Sequence, residues 1–339
     1  MSSPGNVYWV AQSEKVKKFD ATYIRGRLLG EGSTCKVYEC RQRGSDSRWA
    51  VKIMEKKTQS STSFALAEIG TLLNLNHTNV IRMKEVFETE SQLHIVLELV
   101  TGGELFERIV TIGSYTEKDA AFCVRHILEG LKYLHDNDIV HRDLKPENLL
   151  YKDESENSVL KIADFGLATI SNNHVLLQTV CGTPGYCAPE VLKSTSYGKA
   201  VDIWAVGVII YILLCGYEPF YDENQSKLFK KILKCDYVFH KDCWSDISEN
   251  AKDLISRMLV LNPAKRLTAG QALKHRWVQG SGAKSDNLTD TVTKIKEFNG
   301  RRKLKGVVNA VMAFQISKLS MLTNPSSDHQ ETAEVGTAQ

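Results

Sequence analysis

No uninterrupted apolar run in the sequence is long enough to cross a bilayer, so it offers no candidate membrane-spanning helix. Its eight cysteines are scattered, with no CxxC pair and no zinc spacing, which removes a zinc module from consideration. With no secretory signal ahead of them, the thiols are expected to stay reduced, in a cytoplasmic or nuclear setting. The opening MSSPG places Ser2 where myristoylation needs glycine, and no prenylation box closes the chain, so no stable membrane anchor is expected. An excess of one charge is also missing. Lys+Arg total 43 and Asp+Glu 40, a net of +3, which gives no basis for direct nucleic-acid binding by the whole surface. The phosphate-loop pattern GxxxxGK[ST], an EF-hand loop and internal repeats are absent too.

What remains is globular. The 339 residues are 42% hydrophobic and 24% charged, enough for one large domain or two lobes. Residues 1–22 are polar and mixed, an N-terminal arm. Residues 23–99 look like strands with one helix: RLLGEG and KVYECRQ bracket a glycine turn, and RWAVKIM alternates. FALAEIGTLLNLN has helical spacing. Residues 100–277 turn helical, through EKDAAFCVRHILEGLKYLHDN, DIWAVGVIIYILLCG and AKDLISRMLV. A strand-rich first third and a helix-rich remainder predict an α+β protein of two lobes. VQGSGAKSDNLTD is a linker candidate within a further segment, 278–320, and 321–339 reads as a disordered tail.

In LGEGSTCKV, Gly30 and Gly32 stand between two strand-like runs. Glycine there lets amide N–H groups approach phosphate oxygens, although a plain hairpin turn uses the same residues. The dinucleotide-fold alternative fits poorly, since a strand rather than a helix follows. Lys52 interrupts the apolar strand WAVKIM. It is either an edge lysine that reaches outward or a cation aimed at phosphates under the glycine loop. Glu68, on the helix-like stretch, is positioned to pair with it.

HRDLKPENLL, from His141 to Leu150, is the most specific string. Asp143 can take the proton of a substrate hydroxyl, Asn148 can ligate a metal, and Lys145 can meet a moving phosphoryl group. Downstream, IADFGLA supplies Asp164 as a second metal ligand, beside Phe165 and Gly166. Phosphoryl transfer is mainly positioning and charge neutralisation, so it needs a carboxylate, an amide oxygen, a divalent cation and ammonium groups around one point.

Together and in this order, the strings resemble the signature set of eukaryotic protein kinases over about residues 23–277. The resemblance implies a bilobal kinase fold with a β-rich N-lobe and a helical C-lobe, and ATP and Mg2+ as cofactors. It implies that Lys52 and Glu68 form an ion pair, that Asp143 and Lys145 are catalytic, and that Asn148 and Asp164 hold the metal. ATP would lie against Leu29, Gly30, Gly32, Val37, Ala50, Lys52, Glu98 and Val100. Glu190 of CAPE would pair with Arg266, and Asp202 would anchor the catalytic loop. One departure is Cys35, which stands where the family's glycine loop has its third glycine and puts a small thiol over the nucleotide site.

DLKPEN and GTPGYCAPE resemble the serine/threonine branch, with Lys145 and Thr183 carrying the distinction. Glu104 and Glu147 are the carboxylates that would read an upstream basic residue of a protein substrate; the plainer alternative is an acidic helix start and a loop residue. Arg142 is a ready cation for a phosphate placed on Thr179 by an upstream activating kinase.

RRKLKGVVNAVMAF, residues 301–314, runs a basic cluster into an apolar stripe. On helical spacing Leu304, Val307, Val308, Val311 and Phe314 share a face, with Arg301, Arg302, Lys303 and Lys305 at one end. Such a helix suits calmodulin or a membrane surface, and the basic cluster could equally be a nuclear address. With LELVTGGELFERI and EFNGRRKLKGVV, the chain is similar to the calcium/calmodulin-dependent protein kinases, the type IV branch first and type I next. That likeness implies an inhibitory stretch at 285–305 across the substrate cleft, overlapping a calmodulin site at about 299–319, in a monomer. Type IV members carry a long acidic C-terminal extension; none precedes Gln339 here. Competing readings are a pseudokinase scaffold, opposed by the intact Lys52, Asp143, Asn148 and Asp164, and a constitutively active kinase with a membrane-surface tail. An ordinary ATPase is disfavoured by the missing phosphate loop.

Overall fold

The structure, a computed structural model, describes residues 18–32, 35–55, 72–89, 91–164, 184–193 and 197–304. Five antiparallel strands form one sheet: β1 (Tyr23–Glu31), β2 (Cys35–Gln42), β3 (Arg48–Glu55), β4 (Met83–Glu88) and β5 (Gln92–Glu98), in the order β1-β2-β3-β5-β4. Side chains alternate across a strand, so neighbours in β3 face opposite ways. Val51 enters a cluster with Phe19, Tyr23, Cys40, Phe87 and Val96. Lys52 takes the other face, in register with Val37 on β2 and Ile95 on β5. That central position explains why only 7% of it is exposed and rules out the edge-lysine alternative.

The β1–β2 pairing slips twice between Arg25 and Gly30, then closes tightly, with Gly32 N–H donating to the Cys35 carbonyl at 2.8 Å. Such slips bend and twist an edge ribbon. Residues 99–104 then lead to the helix Leu105–Ile112. The long helix Glu117–Asp136 begins with a capping box between Thr116 and Asp119. The first residue of that helix, Glu117, is fully buried, and its carboxylate accepts from Ser248 N, Ser248 Oγ and Trp277 Nε1 at 2.7–2.9 Å.

The helix Ala200–Cys215 is apolar on every side and buried at every position after Ala200. Its composition therefore places it at the centre of the helical body rather than on its surface. Gly216, at φ +81°, ends it. A two-stranded hairpin, β6 (Leu149–Tyr151) and β7 (Leu160–Ile162), lies between that body and the sheet. The residues of HRDLKPEN run into β6, and Asp164 follows β7. Among the described residues, no helix is long and apolar enough to cross a membrane.

The polar run 278–290, a linker candidate by composition, is packed on the body. Lys118 N–H donates to the Lys284 carbonyl, Leu288 N–H to that of Tyr115, and Tyr115 N–H to Asn287 Oδ1. Residues 289–300 are helical, with Thr291 Oγ1 donating to the Leu214 carbonyl at 3.0 Å and Phe298 edge-on to Phe106. The polar side chains that suggested a linker bond main chain instead: besides Asn287, Ser281 Oγ donates to the Arg276 carbonyl and Lys284 Nζ to that of Asp246. The compact unit runs from Met1 to Gly300, and in the second unit, Arg301–Gln339, residues 301–304 are described and helical.

Candidate active site

A cleft of about 550 Å³ opens between the sheet and the hairpin. Its roof is Leu29, Gly30, Val37 and Ala50; Lys52 is at the back, with Leu97 to Thr101 along one wall and Asn148, Leu150, Ala163 and Asp164 as floor. Of the ATP-contact positions expected from the sequence, all but Gly32 line it. Glu147 lines it as well, from the short turn Pro146–Asn148, so this carboxylate stands at the nucleotide cleft. Glu104 lies one residue before the helix Leu105–Ile112 and bridges Leu150.

Lys52 Nζ lies 2.8 Å from Asp164 Oδ1. The sequence pairs Lys52 with Glu68, which lies outside the described residues, as do Phe165, Gly166, Thr179 and Thr183. Asp164 sits at φ +58°, a left-handed backbone that a non-glycine residue adopts only when its surroundings impose it.

The loop around Asp143 is held from below. Asp202, 1% exposed on the central helix, accepts from His141 N–H, Arg142 N–H and His135 Nε2, all within 2.8–2.9 Å. Arg142 carries a positive φ of 70° within this grip. His141 donates from Nε2 to the Ala163 carbonyl at 2.8 Å, while its Nδ1 accepts from Asp143 N–H. The imidazole thus ties the loop to the residue before Asp164. Asn148 Nδ2 donates to the Asp143 carbonyl at 2.7 Å, which commits the amide nitrogen and leaves the amide oxygen for a cation. Lys145 Nζ contacts Asp143 Oδ2 at 2.6 Å. Burial works against the Lys145 charge, but Asp143, Glu147 and Asp164 outweigh it and raise its pKa.

The residues fit a magnesium-bound triphosphate. An amide oxygen at Asn148 and a carboxylate at Asp164 are the hard oxygen donors that magnesium prefers. Among the described residues, none beyond its chain neighbours comes within 4 Å of where a Cβ on Gly30 would stand. Of the expected calmodulin contacts, Arg301, Arg302, Lys303 and Leu304 fall on the described helical residues, whereas Val308, Val311 and Phe314 lie outside them.

Sequence reading missed one buried charge beside the cleft, Lys161 in β7, which bonds Glu98 at 2.9 Å. Its signal was a lysine inside the apolar string VLKIA. The pair expected between Glu190 and Arg266 is present, bidentate at 2.6 and 2.7 Å.

The model of the protein kinase domain family matches residues 23–278. Calcium/calmodulin-dependent protein kinase type IV from Rattus norvegicus is 49% identical over 328 residues, spanning 96% of this chain and 68% of the relative, and the Homo sapiens protein gives the same figures. Calcium/calmodulin-dependent protein kinase type 1 from Macrobrachium nipponense is 46% identical over 281 residues, 82% of this chain and 81% of the relative.

Proposed function

This chain belongs to the protein kinase family, in its calcium/calmodulin-dependent branch, and from that premise we propose that it transfers the γ-phosphoryl group of ATP to serine or threonine in proteins with an upstream basic residue. The observation that carries this reading is the joining of Asp143, Lys145 and Asn148 on one loop that His141 ties to the residue before Asp164. Asp143 takes the proton of the target hydroxyl as its oxygen attacks phosphorus and the bond to the ADP oxygen breaks. Lys145, held charged beside Asp143, meets the phosphoryl oxygens from the substrate side. Lys52 meets phosphates from the sheet side. Magnesium, held by Asn148 and Asp164, supplies positive charge against the phosphate oxygens when bound.

Regulation is the finer part of the proposal. Residues 285–305 restrain the kinase, and calcium-loaded calmodulin lifts them by taking about 299–319, with Arg301, Arg302, Lys303, Leu304, Val308, Val311 and Phe314 as contacts. The packing of 284–298 on the helical body supports a restraint anchored there. Competition of this kind needs a differential affinity of about 5.5 kcal/mol to move a 1:99 equilibrium to 99:1. Phosphorylation of Thr179 by an upstream kinase raises activity further through Arg142, and Glu104 with Glu147 selects the basic substrate residue. We place the enzyme in the cytoplasm, the nucleus or both.

The test is phosphorylation of a basic peptide in calcium with calmodulin, in chelator, and by a chain ended near Lys294, with Asp143→Asn as control. Transfer that needs calcium and calmodulin in the full chain, but not in the shortened one, is expected. Equal rates in all three conditions would remove the regulatory reading, and no transfer by the unaltered chain would remove the enzymatic one.

A further inference from the structure

Lys161 is the middle residue of β7, a strand buried at all three positions. An ammonium there is costly unless a fixed partner meets it. Its Nζ bonds Glu98 Oε2 at 2.9 Å and the Val80 carbonyl at 3.4 Å. Glu98 ends β5 and opens the wall of the cleft that runs from sheet to helical body. Its N–H donates to the Arg82 carbonyl at 2.8 Å, and Arg82 N–H reaches back to Glu98 Oε2 at 3.3 Å. The segment that holds Arg82 is itself stitched to β7. Ile162 N–H donates to the Asn79 carbonyl, Ile81 N–H to the Ile162 carbonyl, and Asn79 Nδ2 to the Leu160 carbonyl, each at 2.9 Å.

Three pieces of chain therefore meet at one ion pair, buried at Lys161 and half-buried at Glu98: the end of β5, the approach to β4, and β7. Two of them carry the site. The wall beyond Glu98 includes Leu99 and Val100, and two residues past Lys161 the chain reaches Ala163 and then Asp164. A leucine at 161 would fill the strand without fixing a direction, whereas a short ammonium–carboxylate bond fixes both distance and orientation.

We propose that Lys161 is a positioning residue for the nucleotide: through Glu98 it sets the wall against which the base of ATP lies, at a fixed place relative to Asp164. This rests on the kinase reading and deepens it. Without Lys161, the Glu98 carboxylate loses its cation beside a cleft built for a polyanion, and the wall loses its tether. The loss falls on nucleotide binding rather than on the transfer step, because Asp143 and Lys145 are held by other contacts.

The test compares Lys161→Met, Glu98→Met, Lys161→Arg and the double variant Lys161→Met with Glu98→Met in the full chain, activated with calcium and calmodulin. In Lys161→Met, the KM for ATP and the inhibition constant of ADP are expected to rise about tenfold, while kcat falls less than about twofold and the peptide KM stays put. Lys161→Arg keeps ATP KM within about threefold of the unaltered enzyme, since it can still meet the carboxylate. The double variant has a smaller ATP defect than the product of the two single ones, because no stranded charge remains. If Lys161→Met does not fold, Glu98→Gln carries the same expectation of a raised ATP KM. An unmoved ATP KM, a fall in kcat alone, or strictly multiplicative defects would overturn the proposal. An unaltered chain that transfers phosphate, paired with an unmoved Lys161→Met, refutes this inference alone; an inactive unaltered chain refutes the kinase reading instead.

Discussion

Glu190→Gln should cost the fold more than almost any other change of one atom. The Arg266 side chain is completely buried, and its guanidinium meets both Glu190 oxygens, the Val260 carbonyl at 2.7 Å and the Ala200 carbonyl at 3.0 Å, beneath the Trp204 ring. Gln keeps the shape and one acceptor but removes the only full charge opposite the cation in this cluster of contacts. Breaking a buried pair from one side costs roughly 3–5 kcal/mol, because the surviving charge has neither water nor partner. The two carbonyls and the Trp204 face still serve the guanidinium, so the Gln variant belongs near the lower figure, about 3 kcal/mol. Arg266→Met also strips the donors from both carbonyls and leaves Glu190 alone, so it belongs near the upper one. At about 2–4 °C per kcal/mol for a domain of this class, the Gln variant should melt about 6–12 °C lower. Thermal unfolding followed by far-UV circular dichroism reads this directly. The double variant with Met at both sites should recover part of the loss, since two apolar chains strand no charge. A Gln variant within about 1 °C of the unaltered chain, or a double variant worse than both single ones combined, would refute the stranded-charge argument.

Asp143→Asn should lower phosphate transfer by roughly 10²–10⁴-fold, the range for losing a general base, while nucleotide affinity measured by calorimetry stays close to that of the unaltered chain. Burial holds the pKa of His77, His94 and His126 below the ordinary histidine value. The unfolded chain takes up protons near pH ~6.5 and the folded one resists them, so this stability is present above that pH and drains as pH falls below it. The melting temperature should therefore drop between pH 7 and pH 5, and His94→Gln should flatten the decline; a flat profile in the unaltered chain would contradict the sign. Gly216→Ala should loosen residues 289–300, because φ is +81° and the added Cβ would meet Lys294 Cβ and, at 3.1 Å, Ile295 N. Hydrogen exchange of those amides should quicken, and unchanged protection would show that the contact yields without lifting the helix.

The chemistry was more legible in the sequence than the contacts that aim it. Lys52 stands out because a strand's two-residue period makes a lysine between Val51 and Ile53 visible as a break. HRDLKPEN is legible because its residues act within one short loop. The Lys161–Glu98 pair is not, since its members are 63 positions apart and β7 is too short to reveal a period. The run 278–290 misleads for a related reason: composition registers polar residues, but not the main-chain groups at Tyr115, Lys118, Asp246 and Arg276 that this segment satisfies. Its place in the glycine loop predicts that Cys35 puts a thiol over the nucleotide. In the structure its carbonyl closes the glycine turn, and its side chain is not among those lining the cleft.

The contacts of Asp202 explain where control can and cannot act. A buried carboxylate on the most deeply buried helix holds two successive backbone N–H groups of the catalytic loop, one of them at a left-handed residue. Such a backbone costs about 1–3 kcal/mol and persists only where surrounding contacts over-determine it. Asp143 is therefore positioned by the folded core and needs no signal to find its place. Lys52 and Asp164 differ: they meet through a single ion pair between sheet and floor, and Asp164 leads directly into the segment that carries Thr179. A switch built on this scaffold gains most by acting on that pair, on the loop beyond it, or on access to the cleft. Loosening the loop around Asp143 would destabilise the core itself.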